Sequence, residues 1–146
     1  AHGIVPFFGQ GMNCGFEDCR ILNELLNTHK DDWDVVMPVF QQLRKPDTDA
    51  IAQLALDNFV EMRDLVADPE FLLRKKIEAR LHELYPEKWI PLYSMVSFNE
   101  NIPYSHAYTI GQRQKNIMDE VMKMPDIMTT WQSLNFQQLV HRMEEA

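Results

Sequence analysis

Residues 6–19 read Pro6-Phe7-Phe8-Gly9-Gln10-Gly11-Met12-Asn13-Cys14-Gly15-Phe16-Glu17-Asp18-Cys19. A short apolar run meets a glycine-marked loop, and the periodicity then switches to the helical repeat that governs the rest of the chain. Gly9 and Gly11 allow a sharp turn and a close approach of the backbone to a ligand. Asn13 is the candidate cap of the helix behind the loop, with Glu17 and Asp18 expected in its first turns, where acidic side chains favour the dipole. Such a helix start offers unpaired N–H groups to a phosphate or an electron-rich ring edge. The glycine spacing is neither the G-x-G-x-x-G fingerprint nor a P-loop. A tight loop without a ligand fits it equally well.

Working upstream, Ala1-His2-Gly3 has no initiating Met and reads like the inside of a domain, so a fragment or processed product is expected. Ile4–Phe8 reads as a strand tail or an extended segment. Downstream, Phe16, Cys19, Leu22 and Leu26 form an apolar stripe widened by Ile21 and Leu25. A second helix follows Asp31-Asp32 and carries Trp33, Val36, Phe40 and Leu43, with Pro38 kinking it or delaying its start. Arg44–Thr48 reads as a linker capped at Asp47 or Thr48. The next helix carries Ile51, Leu54, Ala55, Asn58, Phe59 and Met62 and ends at Asp68-Pro69, where Asp68 caps a further helix with Pro69 in its first turn. Phe71, Leu72, Ile77, Leu81 and Leu84 are its expected buried side. Trp89–Phe98, with Pro91 inside, reads as extended or irregular. Helices over Pro103–Met122 and Phe136–Met143 complete a mainly α chain.

The bulk numbers bound the function. A length of 146 residues suits one compact domain. A net charge of -8 and a pI near 5.0 argue against a nucleic-acid partner, which would need a basic patch. Two cysteines are too few for a disulfide framework, and reduced thiols are expected. No apolar run is long enough to span a bilayer, so a cytoplasmic protein is expected. His2, His29, His82, His106 and His141 are scattered without metal-ligand spacing, so no metal is expected. No nucleophile elbow and no singled-out pair of carboxylates is present, so no catalytic residue is assigned. Asn58 lies one turn from Met62 amid apolar residues, and a polar group there needs a partner, from backbone or from a ligand. Tyr93 is either a core aromatic or a pocket wall.

Ala1–Asn13 with Gly15-Phe16-Glu17-Asp18-Cys19, Asn58-Phe59-Val60-Glu61-Met62-Arg63 and Ile90–Phe98 closely resemble the single-component FAD-dependent aromatic hydroxylases. The last two motifs narrow the resemblance to the kynurenine 3-monooxygenase family, over residues 1–110. The resemblance implies the helical C-terminal portion of an α+β hydroxylase fold, without the Rossmann-type nucleotide-binding half. Residues 1–28 would end the FAD-binding domain, and 29–146 would form an α-helical region covering the substrate pocket. FAD, NADPH and dioxygen would hydroxylate L-kynurenine to 3-hydroxykynurenine through a flavin hydroperoxide. Gly11, Met12 and Asn13 would contact the flavin. Pro6, Phe7 and Gln10 would border the substrate, Asn58 and Tyr93 would bind its amino-acid part, and Met62 would line the pocket.

The partner would be the rest of the same enzyme, and the chain alone would be inactive and hold FAD weakly or not at all. Residues 125–146 are amphipathic and polar rather than a hydrophobic anchor, so a bacterial-type enzyme is expected, without a membrane partner. Two other readings stand beside it: a flavin hydroxylase for another aromatic acid, and a non-catalytic helical interaction module.

Overall fold

The computed structural model describes residues 4–144. Seven α-helices appear among them: α1 (Gly11–His29), α2 (Trp33–Val60), α3 (Pro69–Leu84), α4 (Leu92–Phe98), α5 (Tyr104–Val121), α6 (Ile127–Thr130) and α7 (Phe136–Glu144). A π-helical turn, Glu61–Leu65, follows α2, and a 3-10 turn, Trp131–Ser133, follows α6. No strand occurs among the described residues, as the mainly α reading expects, and Ile4–Phe8 is not a strand tail. The chain divides into two compact units, one reaching to Phe59 with Pro103–Ser105 added, the other comprising Val60–Ile102 and the residues from His106 onward.

In the first unit α1 ends where expected. Lys30 and Asp31 both take left-handed backbone angles, and the Asp31 N–H returns to the Leu26 carbonyl at 3.0 Å. Asp32 then opens α2, its carboxylate accepting from the Asp34 N–H at 3.2 Å. The expected linker at Arg44–Thr48 is absent: α2 runs unbroken through Pro38 and Pro46. An interior proline costs about 3 kcal/mol because it removes an N–H and crowds the carbonyl four residues back. Here those carbonyls belong to Asp34 and Gln42, residues on the exposed side of the helix. Buried Val36, Ala50, Ile51, Leu54 and Ala55, together with the buried Arg44, anchor the helix on either side. Packing overrides the local break.

The expected stripe of α1 also shifts. Cys14 and Asp18 are its buried residues, whereas Phe16 and Cys19 are exposed. On α2 Val36 is buried, but Trp33 and Leu43 are exposed.

The second unit holds an apolar core. Leu73, Ile77 and Leu81 recur every fourth residue along one face of α3 and meet Trp89, Ile117, Met118, Val121, Ile127, Leu139 and Val140. Leu72 and Leu84, expected on the buried side, are exposed, and Leu73 takes the inward place. Asp68 caps α3, accepting from the N–H groups of Glu70 at 2.7 Å and Phe71 at 3.2 Å. Trp89–Phe98 is only half irregular. Pro91 caps a real helix from Leu92, whose first bond runs from the Met95 N–H to the Pro91 carbonyl at 3.0 Å. Proline suits a helix start because it offers no N–H that would be left over there.

Candidate functional site

In the first unit the loop turns at Phe7, whose N–H bonds the Val5 carbonyl at 2.9 Å. Gly9 takes φ +71°, with open space around it, so the backbone angle rather than crowding calls for glycine. Helix α1 begins at Gly11, so Asn13 lies inside the first turn and is not the cap. The cap position falls to Gln10, whose side chain makes no capping bond. Neither Glu17 nor Asp18 is in the first turn, and no acidic residue is there. The N–H groups of Gly11, Met12 and Asn13 therefore start the helix without a side-chain acceptor, and the positive dipole end keeps its charge. Such a helix start can receive an anionic or electron-rich group.

The side chains around the loop form one polar knot. Gln10, buried with 7 % of its surface exposed, accepts from Asn13 Nδ2 at 2.8 Å and from the Tyr104 hydroxyl at 3.3 Å. Asn58 Nδ2 donates to the Phe7 carbonyl at 2.6 Å, and the Phe7 ring lies on Phe59 with centroids 4.6 Å apart. Pro6 and Met12 are exposed. Behind the loop, burial pushes the Cys14 thiol above its ordinary pKa, and the Tyr104 hydroxyl bonded to it offsets only part of the rise. Tyr104 is pushed up as well, by burial first and then by Cys14. Neither group is a thiolate or phenolate nucleophile near neutral pH.

Arg44 fastens this arrangement. Buried, it donates from Nε to Asp18 at 2.7 Å and from Nη2 to Glu17 at 2.8 Å. Burial works against its charge, but the two carboxylates more than restore it, and its pKa lies above the ordinary arginine value. Asp47, 3.7 Å from Arg44, accepts from both the N–H (2.9 Å) and the hydroxyl (2.6 Å) of Ser105. Sequence reading missed Arg44 and Tyr104. Arg44 sits in a stretch that reads as linker, and Tyr104 is separated from Gln10 by 94 residues.

The loop residues and Asn58 thus come together in the first unit. Met62 and Tyr93 belong to the second. Met62 lies in the π-helical turn and is exposed. Tyr93 stands in the first turn of α4, 55 % exposed, with its ring edge-to-face on Phe98 at 5.9 Å. Among the described residues no group of three His, Cys, Asp or Glu is placed to hold a metal, and no helix is long and apolar enough to cross a membrane. Ala1, His2 and Gly3, which open the family motif, lie outside the described residues.

No protein-family model matches the chain. Individual relatives do. The kynurenine 3-monooxygenase of Christiangramia forsetii is 56% identical over 133 residues, 91% of this chain and 30% of that protein. That of Cytophaga hutchinsonii is 52% identical over 132 residues, 90% of the chain and 29% of that protein. That of Candida albicans is 49% identical over 121 residues, 83% and 26% respectively. The chain belongs to the kynurenine 3-monooxygenase family, as a segment spanning about three-tenths of the length of the curated relatives it matches.

Proposed function

We propose that the chain is the C-terminal part of a cytoplasmic, bacterial-type kynurenine 3-monooxygenase, which converts L-kynurenine to 3-hydroxykynurenine with FAD, NADPH and dioxygen. The observation that carries this is the 56% identity over 91% of the chain to the Christiangramia forsetii enzyme. The acid-free start of α1 supports it. FAD, when bound, supplies the oxygen-transfer chemistry and takes its electrons from NADPH. The chain's own residues bind, orient and exclude water. The N–H groups of Gly11, Met12 and Asn13 face the flavin edge where negative charge gathers on reduction. Residues 1–28 end the FAD-binding domain, and 29–146 cover the substrate.

Pro6, Phe7 and Gln10 border the aromatic ring of kynurenine. Gln10 Oε1 is engaged by Asn13 and Tyr104. Asn58 and Tyr93 bind the amino-acid part, and Met62 lines the pocket. The rest of the same enzyme is the partner that completes FAD binding.

The test is a pair of titrations. In the complete enzyme, Asn58→Ala and Tyr93→Phe should weaken kynurenine binding while FAD content stays unchanged; loss of FAD with kynurenine affinity intact would contradict the assigned roles. In the isolated chain, flavin fluorescence should show weak FAD binding at most, and tight binding would refute the need for the remainder.

A further inference from the structure

We propose that Gly111 and Gln114, one turn apart on α5, are positioning residues that set where Tyr93 stands. The inference rests on the reading of Tyr93 as a substrate-binding residue. Tyr93 is more than half exposed, with its ring against Phe98. It stands in the first turn of α4, so the backbone entering that helix sets where its Cα lies. Helix α4 is only seven residues long and cannot fix its own start. The stretch of backbone leading into it, Trp89–Leu92, must be held from outside.

Three successive grips hold it. The Trp89 side chain is buried, and its carbonyl meets His82 Nδ1 on α3 at 2.9 Å. The Ile90 carbonyl accepts from Gln114 Nε2 at 2.9 Å. Leu92 packs on Gly111 so closely that a Cβ there would sit 2.9 and 3.0 Å from the two Leu92 methyls.

Both α5 residues are otherwise poor choices for their places. Glycine inside a helix is disfavoured relative to alanine. A buried amide is unfavourable unless it is hydrogen-bonded, and Gln114 is 6 % exposed. What they provide together is register. Gly111 lets the chain approach, and Gln114 selects the Ile90 carbonyl, so Tyr93 emerges three residues later in one place. Residues on one face of a helix at this spacing act on a common neighbour.

The experiment uses the complete enzyme. Gln114→Leu and Gly111→Ala should weaken kynurenine binding about two- to 150-fold, the range of coupling between contacting groups, with FAD content unchanged. In a Tyr93→Ala background the same substitutions should change kynurenine affinity less than about twofold. Gln114→Glu offers a rescue: burial raises the carboxyl pKa, and only the protonated form can donate to Ile90. Its affinity relative to the parent enzyme should recover as pH falls from about 8 to about 6.

A fluorotyrosine-labelled enzyme separates this inference from the functional reading. If Gln114→Leu moves the Tyr93 fluorine resonance while the parent enzyme binds no kynurenine, the functional reading fails and the positioning stands. An unmoved Tyr93 resonance, additive double variants, or parallel loss of FAD and kynurenine would each overturn the positioning role.

Discussion

Each unit, taken by itself, buries something different beside its apolar residues. The first has a buried cation at its centre: Arg44 joins Glu17 and Asp18 of α1 to α2, and Asp47 beside it takes both donors of Ser105. The second has a buried apolar cluster from α3, α5, α6, α7 and Trp89. Its ion pairs lie nearer the surface, such as Arg74 with Glu78 at 3.0 Å and Asp119 at 2.6 Å, and pairs of that kind contribute about 0–1 kcal/mol each. A directional knot suits the unit that carries the loop, because hydrogen bonds fix angles while apolar contacts fill volume. Glu17 and Asp18, the acidic partners in the knot, lie beyond the first turn of α1, which holds no acidic residue.

The largest effect should come from cutting the knot. Arg44→Met leaves the Asp18 carboxylate buried without its cation and should cost about 3–5 kcal/mol by denaturant unfolding. Adding Glu17→Gln and Asp18→Leu should recover most of that loss; a failure to recover would mean that packing, not charge, holds the first unit. In the second unit Leu81→Ala should cost about 2–5 kcal/mol through the cavity it opens. If Arg44→Met proved milder than Leu81→Ala and needed no rescue, the contrast between the units would collapse.

A smaller change sharpens the contrast at the helix caps. Asp68→Ala removes the side-chain acceptor at the start of α3 and should cost about 1 kcal/mol. A substitution at Gln10 cannot lose a capping bond, because that side chain makes none. Its effect should appear in the placement of Asn13 and in flavin affinity instead.

The smallest effect concerns pH. Cys14 and Tyr104 both hold their protons more tightly in the folded state than their ordinary values of 9.0 and 10.0. The unfolded chain then gives up those protons first, so their contribution is complete below about pH 9 and is lost as pH rises further. Tyr104→Phe should flatten that alkaline decline while costing about 0.5–1.5 kcal/mol at neutral pH. An unchanged alkaline slope in that variant would remove Tyr104 from the account.

What the sequence made legible follows the same division. The α3 stripe through Ile77 and Leu81, the Asp68-Pro69 start and the ends of α5 and α7 all show in periodicity and capping chemistry, because burial there is apolar and local. The continuity of α2 through Pro46 does not show. A proline in a charged stretch reads as a break, and what keeps the helix whole is burial on either side of it, by Val36 and by Ala50, Ile51, Leu54 and Ala55, together with Arg44 pairing with residues 26 and 27 positions away. The start of α1 also differs: Asn13 is a good capping residue, but the helix already begins at Gly11, with the Cys14 N–H on the Gln10 carbonyl at 2.9 Å, so Asn13 lies inside the first turn. Tyr104 is invisible for want of any local signal. The loop itself was legible through its residues and its likeness to a family rather than through its spacing. Gln114 and Gly111 matter through the backbone they hold, which no pattern in α5 announces.

The central claim is tested most directly by product identification. The complete enzyme containing this chain, supplied with FAD, NADPH, oxygen and L-kynurenine, should form 3-hydroxykynurenine with NADPH oxidation that depends on kynurenine. NADPH oxidation without hydroxylated kynurenine, or turnover of another aromatic acid alone, would contradict it.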